Sequence, residues 1–143
     1  MPSTVANSKF EFGFVDAAGN GAVLVKDTPT STATDYAVIV YDTDDDTSVD
    51  LQADGTTDAV MRVASSPGIT FTTNTWYNFM IALNENREVR FWIDNVYQGV
   101  VTRGPDEATA QGIWLFVEDR DDANNKQLDC DYIKAWQERV ALP

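Results

Sequence analysis

Between Trp76 and Ile93 the chain can satisfy only one kind of local structure. Tyr77, Phe79, Ile81 and Leu83 alternate with smaller or more polar neighbours, and Val89, Phe91 and Ile93 repeat the pattern after a short polar interruption. Alternation of this kind sends every second side chain to one face of a strand and would scatter the same residues around a helix. Asn84, Glu85, Asn86 and Arg87 supply the turn. Pairing Leu83 with Val89, Ile81 with Phe91 and Phe79 with Ile93 puts all the large residues on one face. A slip of one residue would turn them all outward, so the pattern specifies register as well as pairing. Asp94-Asn95 is a second tight-turn signal, leading into a strand over Val96 to Val101.

The rest of the chain fits the same plan. Phe10, Phe12 and Phe14 share one face of a strand over Phe10 to Asp16. Tyr36 to Tyr41 is continuously apolar, as a strand covered on both faces should be. Weaker strands are predicted at Ala22 to Val25, Val49 to Ala53 and Ala59 to Ala64, and stronger ones at Gly112 to Glu118 and Gln127 to Gln137. Short strands in such succession, about nine or ten of them with no amphipathic helix, predict an all-β sandwich or barrel. No repeat or linker divides the chain, so residues 1–143 are expected to form one domain, with 138–143 a short tail.

Composition narrows the function. The formal net charge of −13 opposes binding to nucleic acid phosphates. No apolar run approaches the roughly 18 residues of a membrane helix, and the opening MPSTVANSKF has neither the basic nor the apolar segment of a signal peptide. The absence of histidine excludes Ser-His-Asp and Cys-His catalysis and His-based metal centres. Cys130 stands alone; it is expected to be a small buried apolar residue, with an intermolecular disulfide as the alternative.

Three stretches occur in a suggestive order: WYNFMIALNENREVRFWIDNVYQG from Trp76 to Gly99, GIWLFVEDRD from Gly112 to Asp121, and DCDYIKAWQ from Asp129 to Gln137. Together they resemble the concanavalin A-like lectin/glucanase superfamily, including its laminin-G-like modules. The resemblance covers the last half of the chain best, and it implies a two-sheet antiparallel jelly-roll sandwich. FGFVDAAGNGAV and VIVYDTDDDTSVD are similar to virion surface proteins of tailed bacteriophages built on this jelly roll. Related domains place further strands ahead of the FGF-like one, whereas nine residues precede Phe10 here. Set beside that resemblance, the domain is expected to be a minimal version or a truncated one, or to leave a sheet edge or apolar face that a neighbouring chain completes.

Glucanases of the superfamily carry catalytic carboxylates as E-x-D-x-E or E-x-D-x-x-E on one strand, and no such spacing occurs in this sequence. The nearest cluster, Glu118, Asp119, Asp121 and Asp122, lacks the second glutamate and lies at a strand end. The expectation is therefore no catalytic residues and no enzyme. Asp42, Asp44 and Asp46 lie in an acidic loop whose alternate oxygens suit calcium, as in laminin-G-like modules. Thr47 and Ala53 stand where an EF-hand needs Gly and Glu, and a simply solvated loop without any cofactor is the favoured alternative.

Trp76 and Trp92 fall on the hairpin face opposite the core residues, with Met80 across from Trp92 and Arg90 alongside. The outer face of a sandwich is normally polar, so these four form a candidate protein interface or sugar platform, unless a loop of the chain covers them. Trp114 and Trp136 lie in apolar strands and are expected in the core. These features and the phage-like stretches predict a non-enzymatic bacteriophage structural protein that decorates the capsid at the virion surface. Its partners would be the major capsid protein or copies of itself. A carbohydrate-binding module, with a glycan as ligand, is the alternative.

Overall fold

The structure, a computed structural model, describes residues 5–17, 32–44, 48–55, 61–63, 69–106, 109–120 and 125–136. Among these residues it is all-β, with eight strands: β1 Ser8–Val15, β2 Tyr36–Asp42, β3 Val49–Asp54, β4 Met61–Val63, β5 Phe79–Leu83, β6 Val89–Ile93, β7 Val96–Val101 and β8 Gly112–Asp119. They form a five-stranded sheet in the order β4-β3-β2-β1-β8 and a three-stranded sheet in the order β5-β6-β7. All pairings are antiparallel. The first four strands run as a meander, the next three make the second sheet, and β8 crosses back to pair with β1.

The alternation read from the sequence is what joins the two sheets. Phe10 of β1, Ala37, Ile39 and Tyr41 of β2, and Val49, Leu51 and Ala53 of β3 pack against Val89, Phe91, Ile93 and Val101 of β6 and β7. The hairpin register is the expected one, with Phe79 opposite Ile93, Ile81 opposite Phe91 and Leu83 opposite Val89. Its second turn places Asp94 and Asn95 at φ of 51° and 64°, as a two-residue turn matching the strand twist requires. The first turn puts Arg87 at φ 62°, an unfavourable conformation for a residue with a Cβ. Its guanidinium compensates by donating to Gly104 O at 2.9 and 2.8 Å and pairing with Asp106 at 3.0 Å.

β2 is buried on both faces, as its unbroken apolar sequence predicts. Its outer side chains Tyr36, Val38 and Val40 form a second cluster with Val15, Ala33 and Trp114. Gly13 lies at the middle of β1, between Val38 and Trp114. A Cβ there would fall about 2.0 Å from Ala37 O, so the sheet closes at this point only around glycine.

Several expectations need correction. Residues 127–136 form no strand; the only ladder contact is an isolated bridge at Leu128. Trp136 is accordingly not core but 70% exposed, and Cys130 is exposed rather than buried. Ile81 and Phe79 face the core but are only half-buried, and Leu83 is exposed. β1 is flanked on both sides by β2 and β8, so the sheet edges lie elsewhere, at β4, β5, β7 and β8. The strand expected at Ala22 to Val25 and the tail 138–143 lie outside the described residues, as do 59, 60 and 64 of the strand now seen at Met61–Val63.

Burial separates the two arms of the hairpin energetically. Phe91→Ala should cost about 3–5 kcal/mol, because the ring is fully enclosed. Leu83→Ala should cost about 1 kcal/mol or less, because much of that side chain already meets water. Urea unfolding of both variants checks the pair; equal losses would mean that the arms are buried alike.

Candidate functional site: the outer face of the three-stranded sheet

The register that buries Phe79, Phe91 and Ile93 necessarily turns their neighbours outward. Met80 lies opposite Trp92, and Trp92 opposite Tyr97, making one row across all three strands. Ala82, Arg90 and Val100 make the adjoining row. Met80, Tyr97 and Val100 are exposed, and no loop among the described residues buries them. Trp92 is half-buried because its ring meets that of Tyr97, with centroids 5.6 Å apart and planes tilted by 59°. Arg90 is the one charged side chain in the two rows, and its guanidinium bonds Glu88 Oε2 at 3.0 Å.

Of the four residues singled out from the sequence, Met80, Arg90 and Trp92 thus share one surface. Trp76 precedes β5, outside the paired rows, is 55% exposed, and lines a groove that Met80 also lines. Tyr97 and Val100 complete the face and escaped the sequence reading. Carrying the register through the Asp94-Asn95 turn would have found Tyr97; Val100 lies beyond a bulge between Phe91 and Trp92, which no simple alternation anticipates.

The groove opens between the sheets. They approach one another where β7 lies near β3 and β4, and they diverge toward β5 and β8. On the diverging side lies a cavity of about 620 Å³ lined by Phe12, Phe79, Ile81 and Leu115, with the segment from Leu128 to Trp136 along it. Leu115 faces this space and is 39% exposed, although its partner in β1 is Phe12.

The described residues of the acidic loop, Asp42 and Asp44, meet cations of the chain itself. Asp42 Oδ2 pairs with Arg120 Nη2 at 2.7 Å and Lys9 Nζ at 3.5 Å. Its Oδ1 accepts from Arg120 Nε and from the Asp44 backbone N–H, both at 3.2 Å. Arg120 also pairs with Asp44 at 3.5 Å and Glu118 at 3.2 Å. Lys9 reaches Glu11 at 3.2 Å, and the Trp114 indole N–H donates to Glu11 at 2.8 Å. Burial disfavours the charged guanidinium, but the Asp42 hydrogen bond and the charges of Asp42, Glu118 and Asp44 outweigh it and hold Arg120 above its ordinary pKa. Asp46, Asp121 and Asp122 lie outside the described residues. Among the described residues no three acidic or thiol groups are gathered as metal ligands.

No family model, no curated protein and no solved structure matches this chain.

Arg120→Ala would remove the guanidinium shared by Asp42, Asp44 and Glu118 and should cost about 3 kcal/mol, the order expected when one partner of a buried pair is removed. Thermal unfolding measures it. A loss below about 0.5 kcal/mol would mean that the cluster behaves as ordinary surface charge.

Proposed function

We propose that this protein is a non-catalytic β-sandwich that works by surface docking, and that it decorates a bacteriophage capsid at the virion surface. The observation that carries the docking reading is the row Met80–Trp92–Tyr97. It is an apolar strip crossing a whole sheet on the solvent side, in a protein whose net charge is −13. Aromatic residues and methionine with a neighbouring arginine are the composition of protein interfaces. A capsid subunit presenting an apolar patch with a basic rim would suit this strip and its acidic surroundings. Binding the assembled shell and not its free subunits would stabilise the shell by mass action.

The setting comes from the sequence. FGFVDAAGNGAV and VIVYDTDDDTSVD resemble phage virion surface proteins, and the jelly-roll topology of the concanavalin A-like superfamily is the finer form of the sandwich that this resemblance implies. The return of β8 to β1 and the separate three-stranded meander are compatible with it. Calcium, a cofactor and nucleic acid have no part in the proposal. A glycan is the second reading, favoured by one feature: the tilted Trp92 and Tyr97 rings offer apolar faces on which a sugar can stack.

Mass spectrometry of purified virions tests the reading, together with co-sedimentation of added protein with capsids. The chain should be present in many copies per particle, and Trp92→Ala should abolish co-sedimentation while leaving the fold intact by circular dichroism. Absence from particles would overturn the capsid assignment. Binding to a glycan array that Trp92→Ala removes would favour the second reading. Release of reducing ends from laminarin or agarose, lost in Glu118→Gln, would overturn the non-catalytic one.

A further inference from the structure

The groove between β5 and β8 and the segment beside it have complementary defects. Among the described residues β5 and β8 are edge strands, each pairing on one side only. The inward side chains of β5, Phe79 and Ile81, stay half-buried along the groove. An uncharged edge such as FMIAL, with neither lysine nor proline to guard it, is a template for another strand. Next to it runs Asp129–Trp136, whose Tyr, Ile and Trp are strand-forming residues. Tyr132 and Trp136 are 71% and 70% exposed.

The alternation within the segment fits the groove. Leu128 already packs against the main core. Continuing at period two from Leu128 puts Cys130, Tyr132, Lys134 and Trp136 on the groove side, and Asp129, Asp131, Ile133 and Ala135 on the other. Lys134 Nζ already lies 5.5 Å from the centre of the Trp136 ring, so the ring and the aliphatic stem can enter together.

We infer that Asp129–Trp136 is a strap that closes the sandwich by pairing with the free edge of β5, in the same molecule. The attachment favours the same molecule over a second copy. Leu128 packs against the core and lines the same groove as Phe79 and Ile81, and Lys126 donates to Ala6 O at 3.0 Å and pairs with Asp119 at 3.7 Å. A strand tethered in the groove that its docking edge lines has an effective concentration far above that of free protein in solution. Extended, its eight residues span about 26 Å, enough to cover a five-residue strand. Closure fills the cavity with aromatic side chains and adds a fourth strand to the small sheet. Opening leaves the arrangement seen in the structure, with an apolar groove and a free edge able to take an extended strand from another protein.

The single cysteine reports on the strap in the unaltered protein. Cys130 is exposed in the open arrangement and would face the groove in the closed one. Labelling by a small maleimide should be at least about tenfold slower in native protein than in urea-unfolded protein, as for a site reached only through local opening. The rate should not change with protein concentration, and the edge amides of Phe79–Leu83 should show matching protection in hydrogen exchange. Labelling as fast as in the unfolded chain would overturn the closure. A rate that falls as concentration rises would assign the edge to a second copy and overturn the intramolecular strap. Slow labelling with freely exchanging β5 amides would also overturn it, by placing the strap away from that edge.

Discussion

The two sheets are joined by a cluster of aromatic rings gathered around Phe71, a residue that lies on no strand. Phe71 meets Phe10 and Tyr41 of the five-stranded sheet at centroid distances of 6.4 and 5.2 Å. It meets Tyr77 and Phe79, on the approach to and first residue of β5, at 4.8 and 5.6 Å. Phe12 and Phe79 touch directly at 5.5 Å, and Phe10 stacks on Tyr41 at 5.9 Å. Each such pair contributes about 0.5–1.5 kcal/mol beyond the burial of its area. The contribution matters because the sandwich diverges on this side. Without Phe71, β5 would keep the Phe12–Phe79 contact and its hairpin partner β6 as its ties to the large sheet.

The two faces of β1 serve opposite chemistries. One face supplies Phe10 and Phe12 to the aromatic cluster, and the other supplies Lys9 and Glu11 to the network around Asp42 and Arg120. Burying charges costs several kcal/mol per ion unless they are paired and hydrogen-bonded. Here a lysine, an arginine, an indole N–H and a backbone amide meet that requirement. The arrangement fixes the return of β8, because Glu118 and Arg120 reach the network only when β8 lies antiparallel to β1 in the observed register. Acidic residues that look like a solvated loop or a cation site in the sequence are therefore part of what orders the five-stranded sheet.

What the sequence made legible was whatever alternation encodes. The Phe79–Ile93 hairpin, the two-faced burial of Tyr36–Tyr41 and the outward row containing Met80 and Trp92 all follow from period-two placement. Phe71 was not legible, since it lies in a stretch of Ser, Thr, Gly, Pro and Asn with no period, and its importance arises only when two sheets converge on it. Asp42 illustrates the same limit, because its partner Arg120 is 78 residues away. Trp136 and Cys130 show the converse: strand-forming sequence predicts a strand, but pairing decides whether its residues are buried. The outer row of Met80 and Trp92 follows from register alone, and Val100 joins the face only through the bulge in β7.

The dependence of the sandwich on Phe71 is tested most directly by urea unfolding of Phe71→Ala, followed both by tryptophan fluorescence and by far-ultraviolet circular dichroism. The account predicts a loss of about 3–5 kcal/mol, the cost of removing a buried phenylalanine, with the two signals changing together. A loss below about 1 kcal/mol would contradict it, because the sheets would then be joined without the ring that Phe10, Tyr41, Tyr77 and Phe79 all meet.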